Sequence, residues 1–278
     1  MTILEFTAVV WLGSLAAGFL GSLTGLGGGV VIVPLLTLAF GVDIRYAIGA
    51  SLVSVIATSS GAAAAYVREG FSNIRIGMFL EIATTAGALV GAALASTVSS
   101  QILAVIFGAV LIYSAFLSGR RQKKDHLMDR PDRWAELLKL DASYPTGDGK
   151  VTYHVRGVPV GFSLMFVAGS LSGLLGIGSG AVKVLAMDQA MRLPFKVSTT
   201  TSNFMIGVTA AAGAGVYLSR GYIDPGLAMP VVLGVLIGSL LGARVLLGAK
   251  TRLLRFIFAL LIFILGIEMI YNGVLGVL

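Results

Sequence analysis

Lys183 lies three residues beyond Gly180, inside an apolar segment interrupted by Gly176-Ile-Gly178-Ser179-Gly180. An ammonium group there offers three kinds of chemistry. It can draw in an anion, pair with a buried carboxylate (Glu81 or Glu268), or snorkel to the cytoplasmic surface. Capture of an anion is the leading reading. The glycines before Lys183 point the same way. A turn rich in glycine lets a ligand or another backbone approach closely. The helix that follows presents unpaired N–H groups and a partial positive charge at its start. Gly25-Leu-Gly27-Gly28-Gly29 repeats the arrangement 151 positions earlier, with Ile32 in place of Lys183. Two such helix starts aimed at one point would form an anion site.

Hydroxyls and an amide can add donors. The densest run is Ser198-Thr-Thr200-Thr-Ser202-Asn203; its counterpart in the first half, 47–52, keeps only Ser51. Thr24, Ser54, Thr58 and Ser179 are further candidates. For any single Ser or Thr, a bond to its own helix or to a neighbouring one is the plainer account. Glu81 and Glu268 are the carboxylates that fall deep in apolar runs, and they are the candidates for relaying protons.

The elements that must hold these residues are read from the repeat. Eight of the sixteen positions aligned between 18–33 and 169–184 are identical, so the chain is two copies of one unit. The same offset pairs Arg45 with Lys196, Ser51 with Ser202, Gly87 with Gly238 and Gly91 with Gly242. The last two pairs, four residues apart, suit close helix packing. Three adjacent glycines at 27–29 do not. The chain is 56% hydrophobic and 12% charged, with a mean hydropathy of +0.94. A soluble domain carries about a quarter charged residues, so this is an integral membrane protein. Runs at 3–23, 46–67, 74–98, 102–117, 197–218, 225–243 and 253–274 approach the length of a membrane span. The first lacks a basic leader and is expected to be retained. After each glycine turn, about 11 residues remain before the next loop, or roughly 16 Å of helix, half a bilayer core.

Basic residues choose the topology. If the glycine-broken region crosses only once, Lys and Arg divide 12 to 7 between the two faces. If it crosses and turns back, giving five segments per half, they divide 17 to 2, with Arg45 and Arg220 alone on one side and Lys183 inside a segment. Positive charge gathers on the cytoplasmic side, so five segments is the better reading. The expected fold is therefore all-α and membrane-embedded. It has two inverted-topology repeats (4–117 and 158–275), each of four near-full spans and a glycine-broken half-helix. Both termini face outward, and the polar connector 118–157 is cytoplasmic, in what is expected to be a bacterial cytoplasmic (inner) membrane. Within the connector, 131–140 reads as a short amphipathic helix. Residues 142–144 and 151–155 read as strands of a hairpin around 145–149. It is taken as an ordered cytosolic linker, with partner docking as the alternative.

Other chemistry is disfavoured. There is no cysteine, both histidines (His126 and His154) lie in the connector, and no carboxylate–cysteine cluster accompanies them, so neither a metal site nor a His-based triad is expected. The last glycine of G-x-G-x-x-G is Val30 here, and no Walker Lys-Thr follows. No cofactor and no nucleic-acid partner are expected. The expected partners are a small anion, lipid, a coupling proton or ion, and another copy of the chain.

At Gly18-x6-Gly25-Leu-Gly-Gly-Gly29 with Pro34 behind it, and at Gly173-Leu-Leu-Gly-Ile-Gly-Ser-Gly180, the chain resembles the TauE/SafE family of sulfite-exporter-type permeases. The likeness covers nearly the whole chain, and Ser179 departs from it by replacing the middle glycine. The resemblance implies transport of sulfur-containing anions such as sulfite or organosulfonates, commonly outward and driven by an ion gradient. From the residues and the resemblance together, the expected substrate-binding set is Gly25, Gly27, Gly28, Gly29, Gly176, Gly178, Ser179, Gly180, Lys183, Ser51, Thr200, Ser202 and Asn203. A passive anion channel is the alternative; an enzyme is not expected.

Overall fold

The structure, a computed structural model, describes residues 3–24, 29–68, 72–119, 132–146, 149–246 and 251–276. It is mostly helical, with 11 α-helices and one hairpin among these residues. In the first half, α1 (Ile3–Thr24) precedes the short α2 (Gly29–Pro34), which continues as a π-helical turn, Leu35–Ala39. Then come α3 (Ile44–Arg68), α4 (Ile74–Ala95) and α5 (Ser100–Gly119). The connector holds α6 (Arg133–Leu137) and strands β1 (Ala142–Thr146) and β2 (Gly149–Tyr153). The second half is α7 (Val158–Leu175), the short α8 (Gly180–Leu185) with its π turn Ala186–Ala190, α9 (Phe195–Ser219), α10 (Pro225–Leu246) and α11 (Thr251–Leu275). The short helices, their π turns, α3 with α9 and α4 with α10 share bounds at the offset of 151.

Local chemistry sets several of these ends. Asn73 caps α4 by accepting from the Ile76 N–H (3.1 Å), and Asp132 caps α6 by accepting from the Ala135 N–H (2.8 Å). Gly176 closes α7 in the left-handed region (φ 69°). Pro34 has no N–H to donate, which favours a shift of register into the first π turn. Leu185 stands at the matching place before the second π turn, so proline alone does not account for the pair. The hairpin is tighter than 145–149 suggests: Pro145 pairs with Lys150 and Thr146 with Gly149, so both belong to strands.

Ile74–Ala95 and Val158–Leu175 are long and apolar enough to cross a bilayer. The second of these was not among the runs read from sequence. Large apolar side chains cover the outside as well as the core: Met78, Ile82, Val167, Met229, Phe263 and Val274 are all exposed. Helices apolar on every side suit lipid, not water. The packing partners are α1 with α10, α4 with α7, α3 with α9, and α5 with α11. Backbones touch where glycines face carbonyls. A Cβ on Gly87 would strike the Phe166 carbonyl, and one on Gly169 the Thr84 carbonyl. Between α10 and α1, Gly238 faces the Leu15 carbonyl and Gly18 the Val235 carbonyl in the same manner.

Charged groups sort to the two ends of α4. Arg45 donates to the carbonyls of Ala95 and Val98, and Arg220 to those of Ala92 and Ala93, so both sit at its C-terminal end. The connector sits at the other end, where Arg75 donates to the Lys139 carbonyl and Asn73 to the Leu140 carbonyl.

Candidate functional site

Gly29, the last glycine of the first run, meets Gly176 of the second. Gly25, Gly27 and Gly28 lie outside the described residues, but Gly29 opens α2 and its carbonyl lies 3.3 Å from the Ser51 hydroxyl. The same hydroxyl is 2.8 Å from the Gly176 carbonyl, in the turn of the other half. A Cβ on Gly29 would come within 2.7 Å of Ser51 Oγ and 3.0 Å of the Gly176 carbonyl, so no side chain fits. In the second turn, Gly176, Gly178 and Ser179 all have positive φ (69°, 67° and 45°). Glycine adopts this conformation freely, whereas for Ser179 it is uncommon. Ser202 donates to the Gly180 carbonyl at 3.3 Å, the counterpart of the bond from Ser51 to Gly29. From this meeting point the short helices part. The first leads toward Arg45, at the C-terminal end of α4. The second leads to Met191, whose carbonyl accepts from the Arg156 N–H of the connector (3.2 Å).

Lys183 is fully buried. Its Nζ donates to Thr209 Oγ1 on α9 at 2.5 Å, and Thr209 Oγ1 in turn donates to Glu81 Oε1 on α4 at 2.7 Å. The Met205 carbonyl, 3.0 Å away, competes for the same hydroxyl proton. Thr85 also donates to Glu81 Oε1, at 3.1 Å. Glu81 is only 8% exposed, yet its Oε2 has no hydrogen-bond partner. Three helices thus bring an ammonium, a hydroxyl and a carboxylate into one buried line. Taking both charges out of water costs several kcal/mol per ion unless they compensate each other, which explains why they share a bridge. Lys183 lines neither the groove of about 540 Å³ between α5 and α11 nor the cavity of about 230 Å³ beside the connector.

The remaining candidates divide. Thr200 donates back to the Lys196 and Val197 carbonyls, and Thr58 to those of Ser54 and Val55, each within its own helix. Ser54 does likewise toward Ser51. Asn203 is half-buried on α9. The Ser179 and Ser198 hydroxyls are buried without a partner. The side chain of Thr24 lies outside the described residues. Glu268 is exposed on α11, so Glu81 is the carboxylate joined to Lys183. Thr209 was missed from sequence, although the repeat could have found it, because it sits 151 positions after Thr58.

The family model for the sulfite exporter TauE/SafE matches residues 10–269. The chain belongs to the TauE/SafE family. Among its relatives, the "Probable membrane transporter protein YunE" of Bacillus subtilis is 30% identical over 98% of this chain and 99% of its own. YdhB of the same organism, also named a probable membrane transporter protein, is 28% identical over 85% and 87%. One of that description from Methanocaldococcus jannaschii is 26% identical over 91% of both chains. No solved structure matches significantly. Family and relatives indicate an integral membrane transporter.

In this TauE/SafE chain the connector is docked, with Asn73 as its anchor. The Asn73 amide side chain donates to the Leu140 carbonyl (3.1 Å) and to the Tyr153 hydroxyl (2.8 Å), while its backbone N–H donates to Thr201 (3.0 Å). Burial pushes the Tyr153 phenol up to about 12, so it stays neutral. His154 Nδ1 lies 2.7 Å from Asp141. Among the described residues, no three side chains group as metal ligands.

Proposed function

We propose that the chain is a secondary transporter for a small sulfur-containing anion, such as sulfite or an organosulfonate, working outward by alternating access. The anion binds between the two glycine turns, at the starts of the short helices, with Lys183 as its positive partner. The observation that carries this reading is the convergence of the Gly29 and Gly176 carbonyls on the Ser51 hydroxyl, with a buried ammonium in the short helix α8. The family supplies the substrate class.

An inverted pair of repeats fits the shared element bounds and the packing. Exchanging the halves turns the α1–α10 contact into the α7–α4 contact and leaves the α3–α9 and α5–α11 contacts unchanged. The short helices leave the meeting point toward opposite ends of α4, as inversion requires. The segregation of Arg45 and Arg220 from the connector supports a cytoplasmic connector and outward termini.

Binding to the purified chain in detergent and currents on a solid-supported membrane, with sulfite, sulfoacetate and chloride, test the proposal. A sulfur anion should give a saturable signal that Lys183→Ala weakens. Absence of any anion signal sensitive to that substitution would sink the site.

A further inference from the structure

Resting on that reading, we infer that Glu81 is the proton site that couples transport, with Thr209 as the group that positions it against Lys183. Glu81 Oε2 is buried with no donor, while Oε1 takes hydrogen bonds from Thr209 and Thr85. One carboxylate oxygen is thus held and the other is free to receive a proton. Among the described residues, the two charged side chains are each other's electrostatic partner. α7 has no titratable residue, Asp188 lies on the π turn beyond α8, Arg75 is at the far end of α4, and Lys196 and Tyr217 lie toward opposite ends of α9.

A net charge in this interior costs several kcal/mol, so the occupied states are those with the smallest net charge. With the site empty, ionised Glu81 offsets Lys183 across the Thr209 hydroxyl. When an anion arrives, Lys183 has two negative partners and the site carries an excess charge. A proton taken up on Oε2 removes one negative charge: Glu81 becomes a neutral acid, and Lys183 is left to offset a monovalent anion, or one of the two charges of sulfoacetate. The anion and the proton therefore bind together and leave together. One proton moves with the anion in the same direction, and for a monovalent anion the pair carries no net charge across the membrane; outward transport is then driven by the anion's own gradient, and an inward proton gradient opposes it. Only one of the two matching sites is equipped for this. The residues at the counterpart positions are Ile32 and Thr58 in the first half and Val232 in the second.

The test is sulfoacetate binding to the purified chain at several values between about pH 6 and about pH 8, where its acid groups and ordinary solvated carboxylates stay ionised. Uptake into liposomes holding a pH-sensitive dye follows the proton. Linkage of one proton to one anion tightens wild-type binding by up to about tenfold per unit of falling pH, and the lumen acidifies as sulfoacetate enters. Glu81→Gln should bind with an affinity that is flat in pH and carry no proton. Thr209→Val, which keeps both charges and removes the bridge, should have a shallower pH slope than wild type. If Lys183→Ala weakens binding but wild-type affinity is flat in pH and the lumen does not acidify, the coupling is overturned while the transporter reading stands. An undiminished pH slope in Glu81→Gln overturns it too. If wild type binds neither sulfoacetate nor sulfite at any pH, the transporter reading fails and takes the coupling with it.

Discussion

The two halves place their short helices alike and equip them differently. In the first, α2 carries Ile32 in an apolar shell. In the second, α8 carries Lys183, bridged by Thr209 to Glu81. Each has a serine on the following long helix that holds a turn carbonyl, Ser51 for Gly29 and Ser202 for Gly180. Ser51 also reaches across to Gly176. Backbone geometry can thus be duplicated while electrostatics is not. On the proposed reading, the matched scaffolds form the binding site and the single charged line selects an anion.

Substitutions at matched positions probe that difference. The largest effect is expected at Lys183. Lys183→Met removes the ammonium and leaves Glu81 without its partner, so anion binding should weaken by about 100-fold, near 3 kcal/mol. Ile32→Met should change it less than about threefold, because it swaps similar volumes. Equal losses at the two positions would break the asymmetry. Next come the glycine contacts, where the halves should behave alike. Gly87→Val and Gly238→Val each force a side chain into a facing carbonyl, and each should destabilise by about 2–3 kcal/mol, read as a lower Tm from tryptophan fluorescence. The serines give a smaller and graded effect. Ser51→Ala, which disturbs both turns, should cost about 1 kcal/mol, and Ser202→Ala about half of that. Smallest of all is the connector: replacing His126 and His154 together with alanine should leave transport rates within about twofold of wild type. A loss of transport there would move chemistry out of the membrane.

The helices were legible because apolar runs and the 151-residue offset report local structure. The long helices other than α7 begin and end within a few residues of those runs. The second short segment was legible for the same reason, through glycines that end α7 and open α8. What stayed hidden depends on which faces meet. Glu81 and Glu268 read alike in sequence, and only the packing of α4 on α9 sets one against Thr209 while the other stays exposed on α11. The threonines of 198–203 looked richer than Thr209, but Thr200 bonds back to its own helix. The π turns left no mark either, since Pro34 and Leu185 precede them at matching places.

The hydroxyl of Ser51 has one proton and two carbonyls within reach, one in each half. It satisfies either, never both. With its proton on the Gly176 carbonyl, Ser51 ties the halves together; with it on the Gly29 carbonyl, it serves only its own half. The joint is therefore a latch with its own parking place: letting go of the other half leaves the hydroxyl proton with an acceptor.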